Sequence, residues 1–256
     1  MPAGKGTLLA DQRIMTPKTV RVAAVGDLHY VRGGQPALSW LSRVADAADV
    51  LVLCGDLTDY GRAEEAHELA RELSTAVRIP IVAVLGNHDF ESDQVAEVSA
   101  ALRDVGVNLL DGETCELLGV GFAGIKGFAG GFGRGALGPW GEPVIKQFVQ
   151  EAISEALKLE AALARLRTPH KVAVLHYSPV PDTVDGEPRE IYPYLGSSRL
   201  AEPLARYPVT AVFHGHAHNG VAQGMAGPTP VYNVSLPLMA RSSPDLPVKI
   251  LTLESA

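Results

Sequence analysis

The stretch "FHGHAHNG", residues 213–220, sets three imidazoles at alternate positions, His214, His216 and His218, directly after the apolar run "PVTAVF". Alternation at a strand end puts all three on one face. Ordinary hydrogen-bonded histidines would explain one or two of them. A metal site would explain a set, because imidazole is the commonest protein ligand for borderline metals. The rest of the chain repeats the arrangement. Asp27 and His29 follow "VRVAAV", Asp56 follows "DVLVLC", Asn87 and His88 follow "IPIVAVL", and His176 follows "KVAVL". Each motif is weak alone. Five in order, each after an apolar run, describe a metal site with mixed oxygen and nitrogen donors.

The apolar runs read as buried strands. Between the first of them, segments 36–49, 62–77 and 91–105 read as helices. Strands alternating with helices of this length indicate βαβ units and a parallel or mixed sheet. In such a sheet the carboxyl ends of neighbouring strands border one crevice, where ligands bind. Later runs around "VYNVSLP" and "VKILTL" read as further strands, and a second sheet is open for them. The segment "EPVIKQFVQEAISEALKLEAALARLR" has apolar residues at three- and four-residue steps and reads as a long helix packed on the sheet.

Glycine is dense from Gly119 to Gly141. Gly119, Gly121 and Gly124 match G-x-G-x-x-G in form, but further glycines follow where a dinucleotide fingerprint would open a helix. The segment reads either as a flexible loop or flap with Lys126 and Arg134 near a ligand, or as a surface loop without function.

The chain has 256 residues, enough for one domain with a large core, and 46% apolar and 20% charged residues fit a globular protein. A net charge of −7 without a basic cluster argues against a general polyanion binder, because nucleic-acid affinity rests on Lys and Arg facing phosphates. Cys54 and Cys115 form neither a disulfide framework nor a CxxC pair, and Cys54 reads as a small buried apolar residue. Residues 1–20 have no continuous apolar core of a secretory signal, and no run is long enough to span a bilayer. The cytoplasm is the default expectation. Monomer and homodimer both remain open.

The motifs "DLH" at 27–29, "GD" at 55–56, "GNHD" at 86–89, the lone His176 and "GHAH" at 215–218 together resemble the calcineurin-like metallophosphoesterases over about residues 20–235. The resemblance implies an α/β fold, a two-sheet β-sandwich flanked by helices in four layers, with two divalent metal ions at the sheet edge. By motif, one metal would take Asp27, His29 and His218, the other Asn87, His176 and His216, and Asp56 would bridge them. Two of the three opening histidines thus ligate, while His214 is expected to be structural. Two divalent cations carry four positive charges and the two aspartates cancel two, which leaves room for a bridging hydroxide and a phosphate anion. The donor set suits Mn, Fe or Zn better than calcium.

The resemblance also implies that His88 is no ligand but faces substrate, stabilising the transition state or protonating the leaving oxygen. Asp59 would pair with its ring; the plainer reading is a turn or helix cap before "YGRAEEA". Asp89 is expected in a turn or cap. Serine/threonine phosphatases of the family carry Arg where this chain has Tyr60, and GNHE where it has GNHD. The compact motif form looks more like the bacterial phosphodiesterases, so a small-molecule phosphodiester is the first expectation. Phosphomonoesterase, nuclease and a non-catalytic scaffold of the same fold are the alternatives. The stretch after His176 is polar and Pro-rich, and its Tyr177, Arg189, Tyr192 and Tyr194 either touch substrate, cover the rim or make a dimer contact.

Overall fold

The apolar runs are buried on both faces, so each must sit between two layers. The computed structural model describes residues 19–33 and 38–254. The N-terminal reading of residues 1–18 and the first residues of the 36–49 helix lie outside them. Strands β1 (Thr19–Val25), β2 (Val50–Cys54), β3 (Ile81–Val84) and β4 (Asn108–Leu109) pair in parallel, in sequence order. Helices α1 (Leu41–Ala47), α2 (Ala63–Ala76) and α3 (Val95–Asp104) connect them. The 36–49 and 91–105 readings overran both observed ends, although residues 36–37 fall outside the described set.

The second sheet holds β5 (Thr114–Leu117), β6 (Val120–Gly124), β7 (His170–Val174), β8 (Ala211–His214), β9 (Gln223–Ala226) and β10 (Thr229–Asn233), in the order β5-β6-β7-β8-β10-β9. Its four inner strands are parallel and both edge strands antiparallel. Strand β10 comes from the "VYNVSLP" run. The "VKILTL" run instead forms β11 (Lys249–Glu254), which crosses back to pair antiparallel with β1 in the first sheet.

Side-chain alternation divides each strand between two cores. Val22, Ala24, Val50, Val52, Val82 and Val84 face Phe122, Val172, Val174 and Phe213 across the space between the sheets. The alternate residues, Ala23, Val25, Leu51, Leu53 and Ala83, pack against Val44, Leu69, Leu73, Val98 and Leu102 of α1–α3. On the far side Ala123, Ala173 and Val212 meet Leu159, Ala162 and Leu163 of α4 (Pro143–Arg165). The result is four layers, helix–sheet–sheet–helix, as expected. Among the described residues no helix is long and apolar enough to cross a membrane.

The glycine-dense segment departs from the loop expectation. Its first part is β6, an inner strand with all five residues buried. Its glycines are there for close approach: a Cβ on Gly124 would lie 2.6 Å from Leu110 Cβ and 2.9 Å from Val84 Cγ1, against the facing sheet. Beyond β6 the chain is looped, apart from a helical turn at Gly133–Gly135. That loop is tied down, with the Gly127 N–H donating to Glu155 Oε2 of α4 at 2.7 Å and Gly131 bridging Ser197.

Candidate metal centre

Parallel strands place all their carboxyl ends on one edge, and here both sheets bring theirs to the same edge. The turn after β1 carries Asp27 and His29, that after β2 Asp56, and that after β3 Asn87 and His88. His176 follows β7, and His216 and His218 follow β8. Asp27, His29, Asp56 and His216 all have positive φ, between 44° and 70°. Non-glycine residues adopt this left-handed conformation rarely, and such strain gathers at functional sites. The motif glycines make the ligand spacing possible. A Cβ on Gly86 would lie 2.2 Å from Asp56 Oδ1, and one on Gly215 would lie 2.4 Å from Asp27 Oδ2.

Among the described residues three sets of donor atoms cluster: Asp27, His29 and His218 in the first, Asp56, His176 and His216 in the second, and His29, Asp59 and His88 in a third that shares His29 with the first, each within 4.8 Å. Asn87 adjoins the second, with its Oδ1 2.9 Å from His176 Nε2. Asp56 lies between the first and second sets. Its Oδ1 is 3.3 Å from His176 Nε2 and its Oδ2 is 3.8 Å from His29 Nε2. His218 Nε2 is 3.1 Å from Asp27 Oδ1. All seven expected ligands are therefore together.

Second contacts aim the rings. His176 Nδ1 donates to the Cys54 carbonyl at 2.9 Å, which turns Nε2 to the cluster. His216 Nε2 donates to the Tyr194 carbonyl at 3.1 Å, which leaves Nδ1 for the cluster. His29 Nδ1 meets Asp59 Oδ1 at 3.0 Å. Metal-ligating histidines almost always have such an outer partner. Asp27 and Asp56 are fixed in turn by backbone N–H groups, from His216 at 2.9–3.0 Å and from His88 at 2.8 Å. Carboxylate, amide and oriented imidazole at these separations fit a pair of divalent transition-metal ions.

Burial alone would raise the Asp56 carboxyl, but the charge and hydrogen bond of His176 hold it well below the usual carboxylate range. His176 is correspondingly lifted to about 9, with Asp56 outweighing burial. Burial and the His176 charge push His216 down to about 4. His218 is raised by its hydrogen bond to Asp27. Asp56 and His176 thus form a buried pair in which each stabilises the charged form of the other.

His88 and Asp59 are neighbours, but not through the expected carboxylate. The His88 Nδ1–H donates to the Asp59 backbone carbonyl at 2.7 Å, while the Asp59 carboxylate turns to His29. The reason is geometric: His29 and His88 sit edge to face with ring centroids 4.5 Å apart, so one aspartate reaches one ring by its side chain and the other by its backbone. Nor does Asp59 cap α2, because Glu65 accepts the Tyr60 and Arg62 N–H groups there. His214 is structural in its bonding: fully buried, with Nδ1 donating to the Gly215 carbonyl and Nε2 accepting from Thr183 Oγ1, both at 2.7 Å. Burial drives it down to about 4, so it is neutral.

Asp89 is also buried and ties two motif turns together. Its carboxylate accepts from Gly86 N and Thr58 N, both at 2.8 Å, from Thr58 Oγ1 at 2.7 Å and from Leu57 N at 3.2 Å. Of the tyrosines after His176, Tyr177 is buried with its ring 4.5 Å from that of His216, and Tyr192 and Arg189 line a separate cavity with Asp182 and Asp185. The carbonyls of Cys54 and Tyr194 are partners that no side-chain motif announces.

The calcineurin-like phosphoesterase family model matches residues 20–220, most of the chain. No curated protein gives a significant match. Among solved structures, TT1561 of Thermus thermophilus superposes with a TM-score of 0.52 at 16% identity, over 92% of this chain and 99% of that one. A candidate 5′-nucleotidase from Staphylococcus aureus, determined in complex with α-ketoglutarate, superposes with a TM-score of 0.53 at 17% identity, over 84% of this chain. This chain matches about half of that protein (48%). At these identities the two structures establish the fold, and the family match establishes the chemistry: the chain belongs to the calcineurin-like phosphoesterases and is a metal-dependent hydrolase of phosphoester bonds.

Proposed function

We propose that the chain is a dinuclear phosphodiesterase acting on small molecules, with Asp27, His29 and His218 holding one divalent ion, Asn87, His176 and His216 the other, and Asp56 shared. The observation that carries this reading is the placement of Asp56, one carboxylate oxygen toward each donor set. Mn, Fe and Zn all suit these donors. Two such ions would supply an acidified water and an electrophilic seat for phosphoryl oxygens.

The chain's own residues do the rest. Asp27 and Asp56 are held rigid by backbone N–H groups, so little reorganisation accompanies reaction. His88, oriented through Nδ1 by the Asp59 carbonyl, presents Nε2 to the leaving oxygen and gives it a proton. The Asp59 carboxylate holds His29. A diester is favoured by the compact motif form, with GNHD at 86–89 and Tyr60 where the family's serine/threonine phosphatases carry Arg. Arg62 lies over the Tyr60 ring, and Lys126 donates to the Gly127 carbonyl beneath three aromatic rings.

The test is chelation, reloading with Mn²⁺, and comparison of bis-p-nitrophenyl phosphate with p-nitrophenyl phosphate, using Asp56→Asn as the blank. Faster cleavage of the diester, absent from the variant, supports the reading. Faster cleavage of the monoester moves the assignment to a phosphomonoesterase.

A further inference from the structure

His216 and His218 are two positions apart in the chain and belong to different donor sets, so the backbone between them must hold a fixed shape. The residue between them, Ala217, is fully buried. Its carbonyl accepts from Asn233 Nδ2 at 2.7 Å, from Gly220 N at 3.2 Å and from Ser235 Oγ at 3.3 Å. The Gly220 bond is local to the turn. Asn233 and Ser235 reach the carbonyl from the end of β10, and the Asn233 bond is the shortest of the three.

Asn233 is itself fully buried, beside His214 in the parallel pair β8–β10. Its Nδ2 also donates to the Thr183 carbonyl at 3.3 Å, and its Oδ1 accepts from the Ser235 N–H at 3.1 Å. An asparagine amide has two N–H donors and one acceptor oxygen, and two carbonyls and one N–H meet them here. One side chain therefore ties together the loop after β7, the ligand turn after β8 and the turn after β10. Glycine at 220 leaves room for it, because a Cβ there would lie 2.9 Å from Asn233 Nδ2. The two flanking histidines differ in what else holds them. The His216 ring is oriented by the Tyr194 carbonyl. The His218 side chain is 36% exposed, with Nε2 on Asp27 inside the donor set and, among the described residues, no hydrogen-bond partner on its other nitrogen. Its place depends on its backbone, and the Ala217 carbonyl belongs to the peptide that leads into it.

We propose that Asn233 is a positioning residue for the metal centre: through the Ala217 carbonyl it sets the place of His218 relative to His216, and with it the place of one ion relative to the other. The proposal rests on the dinuclear reading above. Losing an outer partner of a metal ligand typically costs about 10–100-fold in metal affinity. Loss of Asn233 should fall on the ion held by Asp27, His29 and His218, because the Tyr194 and Cys54 carbonyls still orient His216 and His176 for the other.

The experiment titrates the metal-free whole chain with Mn²⁺, reading affinity by calorimetry and the spin coupling of a manganese pair by electron paramagnetic resonance. Asn233→Asp keeps the side chain's size and its acceptor for Ser235 but sets an oxygen against the Ala217 and Thr183 carbonyls. It is expected to bind one ion as the wild type does and the second about tenfold or more weakly, with the coupled signal replaced by that of isolated ions. Ser235→Ala removes only the longer bond and should show the same one-sided loss at about threefold, which decides the matter if Asn233→Asp does not fold. Asp49→Asn, which breaks an ion pair directly before β2, controls for lost stability and should bind both ions as the wild type does. Variants that bind both ions normally, or that weaken both alike, overturn the proposal. A wild type that binds fewer than two Mn²⁺ overturns the dinuclear reading and the proposal with it, whereas two normal sites in wild type and variants alike overturn the role of Asn233 alone.

Discussion

Asp89 offers a sharp test of how the two central motif turns are held. Its buried carboxylate accepts four hydrogen bonds, three from backbone N–H groups and one from a hydroxyl, joining the turn after β2 to the turn after β3. Asp89→Ala strands all four donors away from water. A hydrogen bond to a charged group contributes about 1.5–3 kcal/mol net, and a buried donor left unpaired costs about 1–3 kcal/mol. The four are coupled and do not add fully, so the loss should be about 3–5 kcal/mol. For a chain of this size about 2–4 °C accompanies each kcal/mol, which gives a fall of roughly 6–20 °C in Tm. Asp89→Asn keeps the Oδ1 that serves Thr58 but sets an amide donor against the Leu57 and Gly86 N–H groups, so it should lose about 2–3 kcal/mol. Thermal unfolding of metal-free protein, read by circular dichroism, measures both. An Asp89→Ala protein melting within about 2 °C of wild type, below the smallest fall expected, would refute the reasoning.

Three further outcomes follow from the same contacts. Asp59→Ala frees the His29 ring, and metal affinity by calorimetry should fall about 10–100-fold with the fold intact; an unchanged Kd would remove Asp59 from the centre. Glu155→Ala unpairs the Gly127 N–H and deprives Lys158 of its 2.7 Å partner, so stability should drop by about 2–4 kcal/mol in denaturant unfolding, with increased proteolysis between residues 126 and 137. Asp49, held below the usual carboxylate range by its hydrogen bonds from Arg21, contributes stability above about pH 4 that is lost as pH falls through its folded value. The Tm difference between wild type and Asp49→Asn should therefore be largest near neutrality and shrink below about pH 4, and a difference constant with pH would contradict it.

Strand and site were legible for the same reason. A strand buried on both faces must be a short apolar run, and a ligand at its carboxyl end must follow that run directly, so β1, β2, β3, β7 and β8 announced themselves together with Asp27, Asp56, Asn87, His176 and His216. Strand β6 did not, because Gly121 and Gly124 break its apolar alternation. Those glycines answer to Thr168, Leu166, Leu110 and Val84, neighbours far away in sequence. The partner of β11 was hidden too, since an edge strand's pairing depends on where the fold leaves an open edge. Within the site, the motif named the ligands but not what orients them. The Cys54 and Tyr194 carbonyls are backbone groups that any residue type would supply, and the turn of the Asp59 carboxylate to His29 depends on two rings meeting edge to face.

The central claim is that one carboxylate, Asp56, serves two metal ions at the shared edge of the two sheets. Anomalous diffraction from a Mn²⁺-loaded crystal tests it most directly. The account predicts two peaks roughly 3.5–4 Å apart, one on each side of Asp56, the first within reach of Asp27, His29 and His218 and the second within reach of Asn87, His176 and His216. A single peak, or two peaks that do not share Asp56, would contradict it.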